Sequence, residues 1–169
     1  RDLHSFPTRR SSDLWSKNLT QYLYSVYFEK AMYFVPFISK EYVEKIWTRL
    51  EVNSALERNM HESRPDFQQY ILPVRFDDTR VPGIVGSIGH IDARKITPQE
   101  IARMIYEKVK NGEKIEKNNK EDVVPEPFSI NHEVALSFAG EQRDYVEKVS
   151  KELTRLNVGH FYDYNEQVN

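Results

Sequence analysis

Three apolar runs along the chain have the continuity of strands that helices cover on both faces. They are AMYFVPFI at residues 31–38, YILPVRF at residues 70–76 and EVALSF at residues 133–138. Such near-continuous runs are typical of parallel sheets, because neither face of the strand meets water. A shorter apolar segment near residues 87–91 and VGHFYDY at residues 158–164 complete a set of five predicted strands.

Amphipathic segments lie between these runs. Apolar residues recur at helical spacing in four of them: residues 15–29, 40–60, 97–109 and 140–157. Thr97 and Pro98 stand in the order of a helix cap followed by a first-turn proline, and Glu100 completes a capping box. The alternation of helices with strands predicts an α/β fold built around a parallel sheet.

Two segments have neither a helical nor a strand period. Residues 110–132 are charged and contain proline, which predicts a flexible linker between residues 14–109 and residues 133–169. Residues 5–14, SFPTRRSSDL, look like the translation of a widely used DNA-sequencing adapter, although an ordinary disordered N-terminus would have a similar composition. We therefore place residues 1–13 outside the fold.

Composition narrows the class of protein. With 39% hydrophobic residues in 169, the chain can form one compact core. A net charge of −2 argues against a nucleic-acid or membrane-surface partner that is bound through bulk charge. The absence of cysteine removes disulfide and thiolate chemistry and fits a reducing compartment. Because no apolar run approaches the roughly 20 residues of a membrane span, we expect a cytoplasmic protein.

Five segments of the chain carry a family resemblance. They are ALSFAGEQRDYV, FYDYNEQ together with LWSKNL, FISKEYVEKIWTRLE, YILPVRFDDTRVPGI and IDARKITPQEIARMI. With these segments the chain resembles the bacterial Toll/interleukin receptor (TIR) domain. The resemblance covers nearly everything outside the tail and the linker, and it implies the TIR fold, a flavodoxin-like, doubly wound sheet of five parallel strands.

The order of these segments departs from that of the family. Residues 14–109 are similar to the last two-thirds of a TIR domain, and residues 133–169 are similar to its first third, so the fold is expected to be circularly permuted. Placing the end of the chain before Leu14 gives FYDYNEQVNLWSKNLTQYL, which supplies a helix after the last strand. A linker of about 20 residues reaches roughly 25 Å, enough to close a permuted domain. Parts of two tandem TIR domains, or a misassembled reading frame, remain alternative origins.

The predicted site lies beyond the carboxyl ends of the strands, where doubly wound sheets bind their ligands. Glycine there lets backbone approach a ligand, and aromatic rings can stack on a flat base. The candidate substrate-binding residues are Trp15, Ser39, Trp47, Phe138, Ala139, Gly140, Asp163 and Tyr164.

Glu51 is the candidate catalytic residue. The resemblance implies this role, because Ser39, Trp47 and Glu51 match the family pattern of a serine followed by Trp-x-x-x-Glu in the enzymes that cleave NAD. Glycosidases need a second carboxyl group to protonate a poor leaving group, but nicotinamide leaves from a cationic pyridinium and needs no such acid. One carboxylate that stabilises the developing oxocarbenium charge is worth roughly 3 kcal/mol. Taken without the resemblance, Glu51 would be a solvated helix charge and Trp47 a core residue.

Two functions follow from the resemblance. The first is an enzyme that takes NAD as its substrate, uses no cofactor or metal, and releases nicotinamide and an ADP-ribose species in signalling or bacterial immune defence. The second is a module without chemistry that binds itself or other TIR domains. Gly83, Gly86 and Gly89 are spaced three apart, so they do not form the dinucleotide fingerprint G-x-G-x-x-G. The five histidines show no metal-ligand spacing.

Overall fold

The computed structural model describes residues 31–47, 70–81, 89–118 and 132–162, with backbone alone at residues 46–47 and 113–118. Five strands are present in these ranges: β1 (Ala31–Ile38), β2 (Val74–Arg75), β3 (Ile91–Asp92), β4 (His132–Phe138) and β5 (His160–Tyr162). The helices are α1 (Lys40–Tyr42), α2 (Pro98–Asn118) and α3 (Arg143–Arg155). A π-helical turn, Val43–Trp47, continues α1, and a 3₁₀ turn, Gly140–Gln142, precedes α3.

The strands form one sheet in the order β3-β2-β1-β4-β5, and every neighbouring pair is parallel. The longest pairing joins β1 to β4, from Ala31 opposite His132 to Phe37 opposite Phe138. From β1 the chain proceeds to β2 and β3 on one side, and from β4 it proceeds to β5 on the other. The predicted α/β class with five parallel strands is confirmed.

Helices lie on opposite faces of this sheet. One face buries Val35, Phe37 and Leu136 in a core with the apolar residues of α2 and α3. On the other face, the hydroxyl of Tyr42 in α1 donates a hydrogen bond of 3.0 Å to the hydroxyl oxygen of Ser137 in β4. Since neighbouring strand residues alternate between faces, α1 lies opposite α2 and α3, as in a doubly wound fold.

The sheet contains strands from both sides of the predicted linker. The hydroxyl of Tyr33 in β1 donates a hydrogen bond of 3.2 Å to the carbonyl oxygen of Lys108 in α2. A Cβ at Gly112 would lie 2.5 Å from that hydroxyl oxygen, so α2 passes close to the start of β1, where β4 also begins. Residues 119–131 connect α2 to β4. A chain of this length can span up to about 40 Å when extended, which is enough to join the end of α2 to the start of β4.

The bounds of some elements differ from the prediction. Helix α2 extends to Asn118, nine residues beyond the predicted end at Val109, so the first part of the predicted linker is helical. Lys, Glu and Asn are compatible with a helix, and no proline interrupts it before Pro125. The strand predicted near residues 87–91 is found at Ile91–Asp92. The remainder of the helix predicted at residues 40–60 lies outside the described residues beyond Trp47.

Candidate functional site

The candidate site is the carboxyl edge of the sheet between β1 and β4. After β1 the chain adds strands on one side of this pair, and after β4 it adds a strand on the other side. The boundary between β1 and β4 is therefore the topological switch point. Ligands of open α/β sheets bind in the crevice at such a point. Ser39 follows β1, while Phe138, Ala139 and Gly140 end or follow β4, and Phe37 pairs with Phe138 across the boundary. The structure therefore brings these four predicted site residues together at one edge.

Ser39 caps the helix that leaves this edge. Its backbone is extended, with φ of −142° and ψ of 175°, and its hydroxyl oxygen accepts a hydrogen bond of 3.1 Å from the Tyr42 N–H. The same hydroxyl donates a hydrogen bond of 3.2 Å to Oε1 of Gln142, and Ser39 is 1% exposed. The hydroxyl thus holds protein groups on both sides. That Ser39 contacts NAD stays a prediction.

The segment after β4 combines an aromatic ring with open space. The ring of Phe138 stacks on that of Tyr162, with centroids 5.1 Å apart and an interplanar angle of 23°. Ala139 is buried, whereas Gly140 is exposed, and a Cβ built there would meet no heavy atom of the described residues within 4 Å. Within residues 31–47, 70–81, 89–118 and 132–162, no side chain therefore crowds this position, and a glycine lets backbone approach a ligand closely.

The remaining site predictions lie outside the described residues. They are Trp15, Glu51, Asp163 and Tyr164. Trp47 closes the π-helical turn, and its side chain is not among those described. Their predicted roles stay predictions. The π-helical turn itself directly precedes the segment that carries Glu51, and such turns are frequent at functional sites.

Sequence reasoning missed a set of polar side chains that connect α1 and its π-helical continuation to the end of β4 and the turn that follows it. Gln142 accepts the hydrogen bond from Ser39, and Ser137 accepts the one from Tyr42. The ammonium group of Lys45 in the π-helical turn pairs with the carboxylate of Glu141. The pKa of Glu141 is lowered, chiefly because its carboxylate accepts this hydrogen bond from Lys45. The available signal was the presence of polar residues near the ends of two strands that meet at the switch point.

The carboxylate of Asp77, after β2, also holds α1. Its Oδ2 accepts a hydrogen bond of 3.0 Å from the Lys40 N–H, and its Oδ1 accepts one of 2.9 Å from the Thr79 N–H. Partial burial raises the pKa of Asp77, but the hydrogen bonds from Thr79 and Lys40 outweigh this effect and leave the pKa lowered. The ionised carboxylate therefore fixes the start of α1 relative to β2.

An ion pair lies at the neighbouring strand end. Asp92 ends β3, and its carboxylate accepts hydrogen bonds of 2.8 Å and 3.0 Å from the guanidinium of Arg94, which also donates one of 3.1 Å to Asp78. The hydrogen bond from Arg94 lowers the pKa of Asp92 from 3.8 to about 2. Asp92 and Arg94 are thus expected to stay paired well below neutral pH.

We expect Asp92→Asn to flatten the acid dependence of stability. Because the pKa of Asp92 is lower in the folded chain than its ordinary 3.8, its contribution is present above pH 3.8 and is lost as pH falls towards about 2. The measurement is the thermal midpoint of unfolding from pH 5 to pH 2. Over this range the midpoint of the parent should fall further than that of Asp92→Asn. Asp144→Asn on α3 is the matched control, and an equal loss in all three proteins would contradict the assignment.

Arg75 adds a cation to the face on which α1 lies. Its strand neighbour Val74 points into the core with α2 and α3, so Arg75 points to the opposite face at the end of β2. The side chain is half-buried, and within the described part of the chain its Nε is inaccessible to water and has no hydrogen-bond partner. A guanidinium in this position has the donors to bind a phosphate or a carboxylate.

The described residues hold neither a metal-binding cluster nor a membrane-spanning helix. Residues 31–47, 70–81, 89–118 and 132–162 contain no group of three His, Asp or Glu side chains placed to hold a metal ion. In the same ranges no helix combines the length and apolar character needed to cross a bilayer.

Comparison with known proteins gives a family and a relative. The TIR domain family matches residues 12–105, more than half of the chain. The chain is also 42% identical over 121 residues to the 3′ cyclic ADP-D-ribose synthase AaTIR of Aquimarina amphilecti. That alignment covers 69% of this chain and 36% of the relative, so the chain spans about a third of the length of the curated relative that it matches. No solved structure matches the chain significantly. Because the family match covers more than half of the chain, and the structure is a sheet of five parallel strands, the chain belongs to the TIR domain family.

Proposed function

We propose that this TIR domain cleaves NAD and releases nicotinamide together with an ADP-ribose species. The observation that carries the proposal is the 42% identity, over 69% of the chain, to a protein named as a 3′ cyclic ADP-D-ribose synthase. A supporting observation is that Ser39, Phe138 and Gly140 meet at the switch point of the sheet, where open α/β sheets bind their ligands. The lack of cysteine fits a reducing compartment, and we place the activity in the cytoplasm, in signalling or bacterial immune defence.

In the proposed reaction, Glu51 supplies the single carboxylate. The bond between ribose C1′ and the pyridinium nitrogen breaks, and its electron pair goes to the nicotinamide nitrogen, which becomes neutral. The Glu51 carboxylate orients the ribose hydroxyls and stabilises the positive charge that develops at C1′. Water then bonds to C1′ and releases a proton to the solvent to give ADP-ribose, or a hydroxyl of the same molecule bonds to C1′ with release of its proton to give a cyclic product.

The residues at the switch point contribute binding and orientation in this proposal. No described atom lies within 4 Å of a Cβ added at Gly140, so we place the substrate there, beside Phe138, whose ring is already stacked on that of Tyr162. We propose that the aromatic residues Trp15, Trp47 and Tyr164 enclose the flat bases of NAD, and that Asp163 and the buried Ala139 shape the wall. Holding the reacting bond beside the carboxylate lowers the entropic part of the barrier.

We propose that residues 14–109 and residues 133–169 are the two parts of one permuted TIR domain. Counted from β4, the sheet order β3-β2-β1-β4-β5 becomes 5-4-3-1-2, which is the flavodoxin-like order 2-1-3-4-5 viewed from the other edge. The long pairing of β1 with β4 supports a single sheet. In this proposal residues 1–13 are a foreign tail, and self-association or binding to other TIR domains accompanies activity.

We expect a reordered chain to release nicotinamide severalfold faster than the chain in its present order. The reordered chain consists of residues 132–169 followed by residues 14–118, so that it keeps β4 and α2 whole. Joining Asn169 to Leu14 makes the segments FYDYNEQ and LWSKNL continuous, as the proposed order of the domain requires. The measurement is nicotinamide released from NAD at equal protein concentration, and equal turnover of the two folded chains would contradict the proposed importance of that continuity.

A further inference from the structure

Arg75 carries a positive charge that no carboxylate of the described residues neutralises. It ends β2, where it lies opposite Ile38 of β1 and Asp92 of β3 in the register of the sheet. Within the described part of the chain its guanidinium makes no hydrogen bond and no ion pair, and its Nε is inaccessible to water. A cation that is partly withdrawn from water is stabilised by an anionic partner.

The acidic side chains around Arg75 are engaged elsewhere. Asp92, its neighbour on β3, accepts hydrogen bonds from the guanidinium of Arg94. Asp78 accepts a hydrogen bond from the same guanidinium, and the carboxylate of Asp77 is held by backbone N–H groups. Because none of these carboxylates pairs with Arg75, its charge is available to a ligand.

Arg75 lies at the same edge of the sheet as the predicted site. The carboxyl ends of β2, β1 and β4 follow one another along this edge. Since neighbouring strands are about 5 Å apart, the end of β2 is about 10 Å from the end of β4, where Phe138 and Gly140 lie. A dinucleotide that places one ribose beside Gly140 is longer than this distance, so another part of it can reach Arg75.

The chemistry of the guanidinium favours a phosphate as this part. The nicotinamide ring of NAD is cationic and its adenine and riboses are uncharged, so the negative charge of NAD lies on its diphosphate. A guanidinium donates parallel hydrogen bonds to two oxygens of a phosphate. Among the guanidinium nitrogens of Arg75, only Nε is shielded from water without a hydrogen bond, which leaves the Nη groups accessible to an anion.

We propose that Arg75 binds the diphosphate of NAD and thereby selects a dinucleotide over nicotinamide riboside, which has no phosphate. The inference rests on the proposed NAD cleavage. Arg75 holds a part of the substrate in which no bond changes, so its contribution is to binding and not to the breaking of the bond at C1′.

Binding is tested without the reaction, with inorganic pyrophosphate as the probe. Pyrophosphate should raise the thermal midpoint of the full chain at constant ionic strength, since a ligand of the folded state stabilises it. Arg75→Gln should weaken pyrophosphate binding about tenfold, because a hydrogen bond to a charged group is worth about that factor. Arg103→Gln, at an exposed arginine of α2, is the matched control and should bind as the parent does. No stabilisation of the parent, or equal stabilisation of Arg75→Gln, would overturn the inference.

The steady-state release of nicotinamide tests the selection of substrate. In Arg75→Gln the KM for NAD should rise about tenfold and kcat should stay within about twofold, because the diphosphate contact is the same in the bound substrate and in the transition state. The kcat/KM for nicotinamide riboside should be far lower in the parent and should not change in Arg75→Gln. A parallel loss for both substrates would indicate a general structural effect and would overturn the inference.

The inference and the proposed function can fail separately. An unchanged KM for NAD in folded Arg75→Gln, with nicotinamide still released, would overturn the inference alone. Pyrophosphate binding that depends on Arg75 in a chain that leaves NAD intact would support the anion site and contradict the proposed function. Should Arg75→Gln fail to fold, Arg75→Lys replaces it, because lysine keeps the charge but loses the parallel hydrogen bonds and should raise the KM for NAD severalfold.

Discussion

Glu51→Gln should lower kcat for nicotinamide release by about 10²–10³-fold, the loss observed when one preorganised electrostatic group is removed. The amide keeps the size of the carboxylate but cannot balance the positive charge that develops at ribose C1′. Because the carboxylate matters most in the transition state, the KM for NAD should change far less than kcat. The measurement is the initial rate of nicotinamide release at saturating NAD.

A matched substitution distinguishes this effect from a general loss of charge. Glu107 is an exposed glutamate on α2, on the opposite face of the sheet from α1, and Glu107→Gln should leave kcat unchanged. The thermal midpoints of both variants should stay near that of the parent. Full NAD cleavage by a folded Glu51→Gln protein would show that the carboxylate belongs to another residue.

Leu136→Ala should destabilise the whole domain by about 3 kcal/mol, within the range of about 2–5 kcal/mol for buried leucines. Leu136 is 0% exposed and lies in β4 opposite Val35 of β1, in the core that α2 and α3 cover. Removal of its side chain leaves a cavity at the centre of the sheet. If residues 14–109 and residues 133–169 unfold as one unit, the loss of stability must appear in the unfolding transitions of both parts.

Tryptophan fluorescence makes that coupling measurable. The chain has two tryptophans, Trp15 and Trp47, and both precede the linker, whereas Leu136 follows it. Urea unfolding followed by this fluorescence should therefore shift to lower midpoint in Leu136→Ala, with an unchanged slope. Met104→Ala, at a side chain that is 43% exposed, should shift it little. A fluorescence midpoint that Leu136→Ala leaves unchanged would mean that the two parts fold independently.

The fold was predictable where burial determines the pattern. The run AMYFVPFI predicts a strand with the bounds found for β1, because helices on both faces leave no polar positions in it. The end of α2 was not predictable in this way, since residues 110–118 are too polar to show an apolar period. Contacts of Tyr33 with Lys108 and Gly112 support that helix, and they depend on the tertiary fold. The π-helical turn after Tyr42 has no signal in the pattern either.

The site was predictable to the extent that topology determines it. Phe138 ends a strand, Ser39 and Gly140 follow strand ends, and the carboxyl ends of parallel strands share one edge. The partners of the hydroxyl groups were not predictable, because Ser39 and Gln142 meet only when β1 and β4 are neighbours. The role of Glu51 came from the family pattern alone and stays a prediction.

Nicotinamide release from NAD by the reordered chain at high protein concentration, with Glu51→Gln alongside, tests the central claim most directly. We expect nicotinamide and an ADP-ribose species to form in equal amounts, and the rate of formation of both to fall by about 10²–10³-fold in Glu51→Gln. A folded, self-associated sample that leaves NAD intact would contradict it, and would favour a TIR module that binds other TIR domains without chemistry.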